Sequence, residues 1–282
     1  MDRRLQFIFS GFALVMLILL GWRAWTGAWT GLHWAMLGVA ALCCSLVFVR
    51  FVFIFTYSYA LSALLNGALI ALWLQSPAAW LLGGIMCLYG LRLFAFIWSR
   101  DHSASYAPRV DAVKQADAGM PAPAKISLLV MCSLLLCFQV MAIAFAGSQT
   151  AFAGAMSTPS PGVLVGAAIM FAGTVIEGLA DWQKQAAKRD DAGQLVTTGL
   201  YRRWRHPNYA GEILLQLGLI IAGLWSVSTL GDALVVVIAP SYIVILMVAE
   251  AFRVDKEQEL KYGTGDEYKA WRGASGSLVP RF

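Results

Sequence analysis

Acidic side chains occur inside apolar stretches of this sequence, where they are placed to do chemistry. Glu177 and Asp181 lie four residues apart in one stretch, so a helix would carry both on one face. Glu212 lies in the next apolar stretch, and Arg92 lies in an earlier one. An ionisable side chain at membrane depth is costly unless it faces a cavity or a charged partner. These residues therefore predict either a polar ligand-binding cavity or polar contacts that hold helices together.

A basic and aromatic segment leads into the stretch that contains Glu212. It reads Gly199-Leu200-Tyr201-Arg202-Arg203-Trp204-Arg205-His206-Pro207-Asn208-Tyr209-Ala210-Gly211-Glu212. Arginine binds phosphate or carboxylate through two parallel hydrogen bonds. Pro207 suits the first turn of a helix, and amide groups at a helix N-terminus also favour anions. The segment predicts an anion-binding site; the alternative is an ordinary basic cluster at a membrane surface.

Eight apolar stretches would position these residues. The chain has 282 residues, of which 59% are hydrophobic and 13% are charged, about half the charged fraction of a soluble domain. A transmembrane helix needs roughly 20 mainly apolar residues. Because lipid leaves no free partner for backbone groups, we expect an all-α polytopic bundle rather than irregular spans. The predicted spans are 5–22, 33–50, 56–75, 79–98, 125–147, 161–181, 209–226 and 231–252; seven spans is the alternative count.

The distribution of Lys and Arg predicts the orientation. The cations collect in the N-terminal tail, near Arg50, in residues 100–125 and 184–205, and in the C-terminal tail, whereas the intervening joints carry only Arg23. Under the positive-inside rule, both termini are cytoplasmic. The formal charge of +5 is explained by this topology and by attraction to anionic lipid headgroups. No nucleic-acid-binding module or basic arm is present, so nucleic acid is not an expected partner.

The five cysteines do not predict a metal site or a disulfide. They all lie in apolar stretches, without C-x-x-C spacing and without a neighbouring histidine, and are Cys43, Cys44, Cys87, Cys132 and Cys137. Such residues are typical of small core side chains. Beyond Val254, polar residues up to Tyr262 would continue the last span as a helix, and Gly263-Thr264-Gly265 would stop it.

The motif residues resemble those of a known family. The Gly199-Leu200-Tyr201, Arg205-His206-Pro207-Asn208-Tyr209 and Gly211-Glu212 segments are similar to the C-terminal signature of steroid 5α-reductases and their bacterial relatives. Isoprenylcysteine carboxyl methyltransferases share the Arg-His-Pro-x-Tyr core. Further similarities favour the reductase branch: Asp181-x-Gln183, Ala251-Phe252, Leu278-Val279-Pro280, and Tyr89-x-x-Arg92 followed by Arg100.

The resemblance covers residues 85–282 well and the front third poorly. We expect one membrane-embedded domain over 1–282, in which 1–30 is an additional N-terminal span and 85–282 is the reductase-like core. The family also implies a monomer in the bacterial inner membrane, a cytoplasm-facing site, and a steroid or other lipid-like substrate.

NADPH is the cofactor that the resemblance implies. No Gly-x-Gly-x-x-Gly motif follows a strand, so side chains rather than a Rossmann loop would hold its phosphates. The implied cofactor-binding residues are Arg92, Arg100, Asp181, Lys188, Tyr201, Arg202, Arg205, His206, Asn208, Tyr209, Glu212, Arg253 and Tyr268.

Tyr89 matches the tyrosine that polarises the substrate carbonyl in the reductases. Hydride transfer to a conjugated enone leaves negative charge on the carbonyl oxygen, and a donor must meet it there. The reductases support this tyrosine with a carboxylate in the preceding helix. Residues 55–59 hold no carboxylate here, so Tyr57, Tyr59 or Asn66 would substitute.

Two other functions stay open at this level. Glu257-Gln258-Glu259-Leu260, Tyr262-Gly263 and Tyr268 resemble the tail of the methyltransferases, which would take S-adenosylmethionine and methylate a lipid-like substrate. A lipid carrier or assembly factor could use the same cavity without catalysis.

Overall fold

The computed structural model describes residues 3–103, 106, 107, 117, 119–152, 158–189, 191 and 193–282, with backbone only for 3–9 and 152. Helices dominate these residues, and no β-strand occurs among them. The α-helices are α1 Arg3–Trp25, α2 Gly31–Cys44, α3 Tyr57–Leu74, α4 Pro77–Asp101, α5 Ala122–Gln139, α6 Met141–Phe152, α7 Pro161–Ala187, α8 Pro207–Leu224, α9 Leu230–Tyr262 and α10 Asp266–Ala274. Three 3₁₀ helices are Ser45–Phe48, Phe51–Phe55 and Gly199–Arg202.

Six helical segments are long and apolar enough to cross a membrane, as judged over the described residues. They are Gly31–Phe48, Tyr57–Leu74, Pro77–Asp101, Ala122–Ala151, Pro161–Ala187 and Leu230–Tyr262. The protein is therefore an integral membrane protein. The two other predicted spans correspond to α1, of which Ser10–Trp25 is an apolar helix among the described side chains, and to α8, which carries several polar side chains. The count of eight and the cytoplasmic termini stay predictions.

Several helix boundaries follow directly from local sequence. Ser76 and Ser160 each cap the helix that follows, with a proline at its first position. The Ser76 hydroxyl accepts a hydrogen bond from the amide of Ala79. The last long helix runs on to Tyr262 and ends at Gly263, which confirms the predicted extension and stop.

One predicted span is not continuous. The sequence predicts a single helix over 125–147, but the structure ends α5 at Gln139 and restarts at Met141. Val140 lies between the two helices with φ −95° and ψ 5°, and its carbonyl accepts a hydrogen bond from Ile143. An apolar run cannot signal such a local turn, because its periodicity is the same on either side.

Helices α7 and α8 pack backbone to backbone along a line of glycines. A Cβ added to Gly211 would lie 2.6 Å from the amide nitrogen of Glu177 and 2.7 Å from the carbonyl oxygen of Gly173. One added to Gly218 would lie 2.5 Å from the carbonyl oxygen of Gly166. Glycines seven residues apart on each antiparallel helix thus form a seam, the small-residue packing typical of membrane helices.

Helices α3 and α4 form a second seam with the same spacing. A Cβ on Gly83 would lie 2.7 Å from the carbonyl oxygen of Gly67, and one on Gly90 would lie 2.5 Å from that of Ala60. Both antiparallel helix pairs therefore pack through small residues spaced seven apart.

The N-terminal helix joins the bundle through an ion pair. Arg23 pairs with Asp232 at the start of α9 and donates a second hydrogen bond of 2.9 Å to the carbonyl of Ala28. Phe12 packs edge-on against Tyr242, with ring centroids 5.6 Å apart. Helix α1 is therefore attached to α9 by an ion pair near the C-terminal end of α1 and by an aromatic contact nearer its N-terminal end.

We expect Gly211→Ala to destabilise the protein by about 1–3 kcal/mol, because the new methyl group meets backbone that cannot move aside. Gly84→Ala is the matched control, since a Cβ there meets nothing within 4 Å. The thermal unfolding midpoint in detergent measures both variants. Equal midpoints would show that the seam does not depend on the missing Cβ.

Candidate active site

Two tyrosines and a carboxylate meet inside the bundle. Tyr59 on α3 donates a hydrogen bond of 2.6 Å to Oε1 of Glu212 on α8. Tyr89 on α4 donates to Oε2 of the same carboxylate. The two rings lie edge to face with centroids 6.2 Å apart, and Tyr89 is fully buried. The phenols and the carboxylate form one hydrogen-bonded unit, named here the tyrosine–glutamate cluster.

Two buried amides complete this cluster. Gln139, at the end of α5, donates to the Tyr59 hydroxyl at 2.9 Å. Gln216, one turn after Glu212, donates to the same hydroxyl at 3.1 Å and to Glu212 Oε1 at 2.6 Å. Sequence reasoning missed both residues. The signal was available, because an amide inside an apolar stretch needs a partner just as a carboxylate does.

An ion-pair group borders the cluster. Arg92, one turn after Tyr89, donates a hydrogen bond of 2.9 Å from Nη1 to Asp181 Oδ2, and its Nη2 lies 2.9 Å from Glu177 Oε1. Its guanidinium carbon lies 5.1 Å from the centroid of the Tyr89 ring. The predicted cofactor residues Arg92, Asp181 and Glu212 are thus brought near the predicted catalytic residues Tyr59 and Tyr89, and Glu177 joins them.

The two glycine seams place these side chains. Tyr59 precedes Ala60 and Tyr89 precedes Gly90, which meet in the α3–α4 seam. Glu212 follows Gly211 in the other seam. Tyr59, Tyr89 and Glu212 therefore each lie next to a backbone contact that fixes the residue's position along the helix axis.

Two acceptor atoms in this region have no hydrogen-bond donor among the described residues. They are Oε2 of Glu177 and Oε1 of Gln216, and both are buried. A buried acceptor without a donor costs free energy, about 1–3 kcal/mol. Such atoms suit a ligand that brings N–H or O–H groups.

A second polar group ties the C-terminal tail to the start of α8. Arg205 donates to both carboxylate oxygens of Asp255, at 2.9 and 3.1 Å, and to the carbonyl of Ser275 at 2.6 Å. Nε2 of His206 lies 2.8 Å from Asp255 Oδ1, and Ser277 donates to Oδ2 at 3.0 Å. We call these residues the tail clamp. Asp255 was not among the predicted site residues.

Main-chain hydrogen bonds reinforce the tail clamp. The amides of Arg205 and His206 donate to the carbonyls of Gly276 and Ser277. Burial lowers the pKa of His206, and the hydrogen bond to Asp255 raises it by less. Because a carboxylate accepts, Nε2 of His206 carries the proton in this hydrogen bond. That Arg205 and His206 bind a cofactor stays a prediction, since here they hold the tail.

Tyr57 lies apart from the other predicted catalytic residues. Its hydroxyl donates to Asp101 at 3.1 Å, and Arg100 donates to the same carboxylate at 2.9 Å. These residues border a groove of about 430 Å³ that is lined mainly by apolar and aromatic side chains. Tyr57, Asp101 and Trp98 line it. Trp98 is turned roughly 180° from Tyr89 around α4, at about 100° per residue, so the groove and the tyrosine–glutamate cluster lie on different faces.

The remaining predicted cofactor residues lie towards the same end of the bundle as the tail clamp. Tyr201 is buried, and its carbonyl accepts a hydrogen bond of 2.7 Å from Trp271. Tyr268 is buried and accepts from Arg272 at 3.0 Å. Arg253 is exposed and paired with Glu250 and Glu257. The others are Lys188 at the C-cap of α7, exposed Arg202, and half-buried Asn208 and Tyr209 in the first turn of α8.

The fold and site define an integral membrane helical bundle with a buried cluster of tyrosine, carboxylate and arginine side chains. Residues 53–274 match a family described as "Protein of unknown function (DUF1295)", and the chain belongs to that family. The family is related to steroid 5α-reductase-like membrane proteins. The match starts in the 3₁₀ helix Phe51–Phe55 and ends with the last residue of α10. No curated protein and no solved structure matched the chain.

We expect Asp255→Asn to destabilise the protein by roughly 3 kcal/mol, because it leaves the partly buried Arg205 without its counter-ion. Glu257→Gln on the same helix is the control; its pair with Arg253 is solvent-exposed and worth about 1 kcal/mol or less. Unfolding midpoints and carboxypeptidase release of the tail measure the effect. Similar losses in both variants would contradict the structural role of the tail clamp.

Proposed function

We propose that the protein is an NADPH-dependent reductase of the carbon–carbon double bond of a conjugated 3-oxo steroid or steroid-like enone. The observation that carries the proposal is the pair of phenols, Tyr59 and Tyr89, hydrogen-bonded to the Glu212 carboxylate inside a membrane bundle. A buried phenol next to a carbonyl oxygen is a donor for the negative charge that develops there.

The carboxylate that the reductases take from the preceding helix has a substitute here. Residues 55–59 carry none, but Glu212 reaches Tyr89 from α8. Tyr59, one of the predicted substitutes, is part of the same unit. The departure from the family pattern in α3 is thus compensated by a side chain from another helix.

The residues at the site fit a nicotinamide group. The acceptors without donors, Glu177 Oε2 and Gln216 Oε1, suit the N–H groups of a carboxamide. NADPH, when bound, supplies the hydride. The chain would hold it through Asp181, Asn208 and Glu212, as the family resemblance implies.

Phosphate contacts would begin at the surface cations. Four of the predicted arginines are already paired with carboxylates of the chain: Arg92, Arg100, Arg205 and Arg253. Arg202 is exposed, so a phosphate can reach it from solvent, and Lys188 lies at the C-cap of α7.

The mechanism assigns Tyr89 to the substrate carbonyl. The Tyr89 hydroxyl would donate a hydrogen bond to the carbonyl oxygen, where negative charge would collect on reduction of the β-carbon. The α-carbon would then take a proton from water. Glu212 keeps the phenol oriented, and Arg92 beside the ring fixes its position.

Methyl transfer is the second candidate. Glu177 and Asp181 share one ion-pair partner, Arg92, and Glu212 lies close to Glu177. This concentration of carboxylates suits a cationic ligand such as the sulfonium of S-adenosylmethionine. The shared Arg-His-Pro-x-Tyr core is compatible with this function.

Ligand-induced stabilisation separates the candidates. A ligand present at 100 times its Kd and bound only to the folded state adds about 2.7 kcal/mol. We expect NADPH to raise the unfolding midpoint of the detergent-purified protein, and NADH, which lacks the 2′-phosphate, to raise it less. A rise with S-adenosylmethionine alone would favour the methyltransferase, and no rise with either would favour a non-enzymatic carrier.

We expect Tyr89→Phe to lower kcat for NADPH-dependent reduction of a 3-oxo-4-ene steroid about 10²-fold or more, as loss of an oxyanion donor does. The NADPH-induced midpoint rise should be kept. Tyr242→Phe, a tyrosine that packs on α1 away from the cluster, is the control. Unchanged turnover in Tyr89→Phe would remove this residue from the catalytic role.

A further inference from the structure

The two phenols that reach Glu212 are held differently. The Tyr59 oxygen lies 2.6 Å from Glu212 Oε1, 2.9 Å from Gln139 Nε2 and 3.1 Å from Gln216 Nε2. Tyr89 donates to Glu212 Oε2 and accepts from no amide among the residues that the structure describes. The Tyr59 hydroxyl is therefore held by a carboxylate and two amides, whereas the Tyr89 hydroxyl contacts only the carboxylate and the Tyr59 hydroxyl among the described residues.

Each hydrogen bond to Tyr59 has a defined direction. The single Tyr59 proton is donated to Glu212 Oε1. Gln216 donates to that same carboxylate oxygen through its amide nitrogen. Because the Tyr59 proton is already used, Gln139 also contacts Tyr59 as a donor. The hydroxyl of Tyr59 thus has its donor and both acceptor positions occupied.

We infer that Gln139 is a positioning residue that, together with Gln216, commits the Tyr59 proton to Glu212 and leaves Tyr89 as the phenol that meets the substrate. The inference rests on the proposed function and sharpens it, because it divides the two predicted tyrosines by role. In this assignment Tyr59 donates to the carboxylate throughout the reaction and is not a catalytic residue.

This division explains why the cluster contains two tyrosines. When Tyr89 turns its O–H from Glu212 Oε2 towards a carbonyl oxygen, the carboxylate loses one hydrogen bond. Oε1 keeps the donors from Tyr59 and Gln216, so the carboxyl group stays hydrogen-bonded within the bundle. A carboxylate with Tyr89 as its main donor would instead resist releasing that phenol.

Gln139 lies next to the break in the fifth predicted span. It is the last residue of α5 and is 1% exposed. A buried amide in that place needs a partner, and Tyr59 supplies it from α3. The helix end at the Val140 break therefore supplies the amide that contacts Tyr59 on α3.

A double-variant cycle tests the inference. The variants are Gln139→Leu, Tyr59→Phe, both together, and Tyr89→Phe, assayed in the full-length detergent-purified protein with NADPH and a 3-oxo-4-ene steroid. We expect kcat to fall about 10²-fold or more in Tyr89→Phe but only about tenfold in the other single variants. The double variant should be no slower than Tyr59→Phe, because Gln139 acts through that hydroxyl. KM for the steroid should stay within about twofold.

A matched control and a reserve variant keep the test decisive. Ser133→Ala removes a buried polar side chain from α5 that bonds the carbonyl of Leu129 and the thiol of Cys44, neither of which belongs to the tyrosine–glutamate cluster. It should leave kcat unchanged. Gln139→Met keeps the length of the side chain and replaces Gln139→Leu if the latter does not fold.

Three results would overturn the inference in an active protein. They are a Tyr59→Phe loss as large as that of Tyr89→Phe, multiplicative losses in the double variant, and a Gln139→Leu effect on KM alone. A wild-type protein that neither binds NADPH nor reduces the enone would overturn the proposed function itself, and the catalytic roles with it.

Discussion

Close backbone contact between glycines is the constraint on which the rest of the structure depends. In the α3–α4 and α7–α8 pairs, small residues spaced by seven let antiparallel helices touch. That contact sets the height of every residue beside it. Tyr59 and Tyr89 flank one seam and Glu212 flanks the other, so their hydroxyl and carboxylate groups meet without adjustable loops. A single added methyl group at Gly211 would press on the backbone at Glu177 and displace the polar side chains of both helices.

The sequence predicted those parts of the fold that depend on short stretches of chain. Hydropathy gives the all-α membrane bundle, and Ser-Pro pairs give the starts of α4 and α7. The embedded carboxylates correctly marked the interior. The partner of Tyr89 could not be predicted, because Glu212 is 123 residues away. The break at Val140 was also missed, since an apolar run has the same composition whether it turns or continues.

Arginines that are predicted from sequence to bind an anion often meet the acidic residues of their own chain first. Arg205 illustrates this, because Asp255 binds the Nε–Nη2 edge of its guanidinium and backbone carbonyls accept from Nη1. A linear motif cannot show that competition, since its acidic partner lies 50 residues away. The reductase-like motif therefore has a structural role in this chain, closing the tail onto α8, and the proposed catalytic role has to act alongside it.

The glycine seams also have a consequence for how molecules reach the interior. Helices whose backbones touch cannot separate through small side-chain movements, so each pair moves as one rigid unit. The boundary between the two helix pairs is different, because polar side chains rather than backbones meet there. Tyr59 and Tyr89 come from the α3–α4 pair, and Glu212 comes from the α7–α8 pair. A molecule dissolved in the membrane would enter along that boundary. The hydrogen bonds of the tyrosine–glutamate cluster would then control access to the interior and also take part in the reaction.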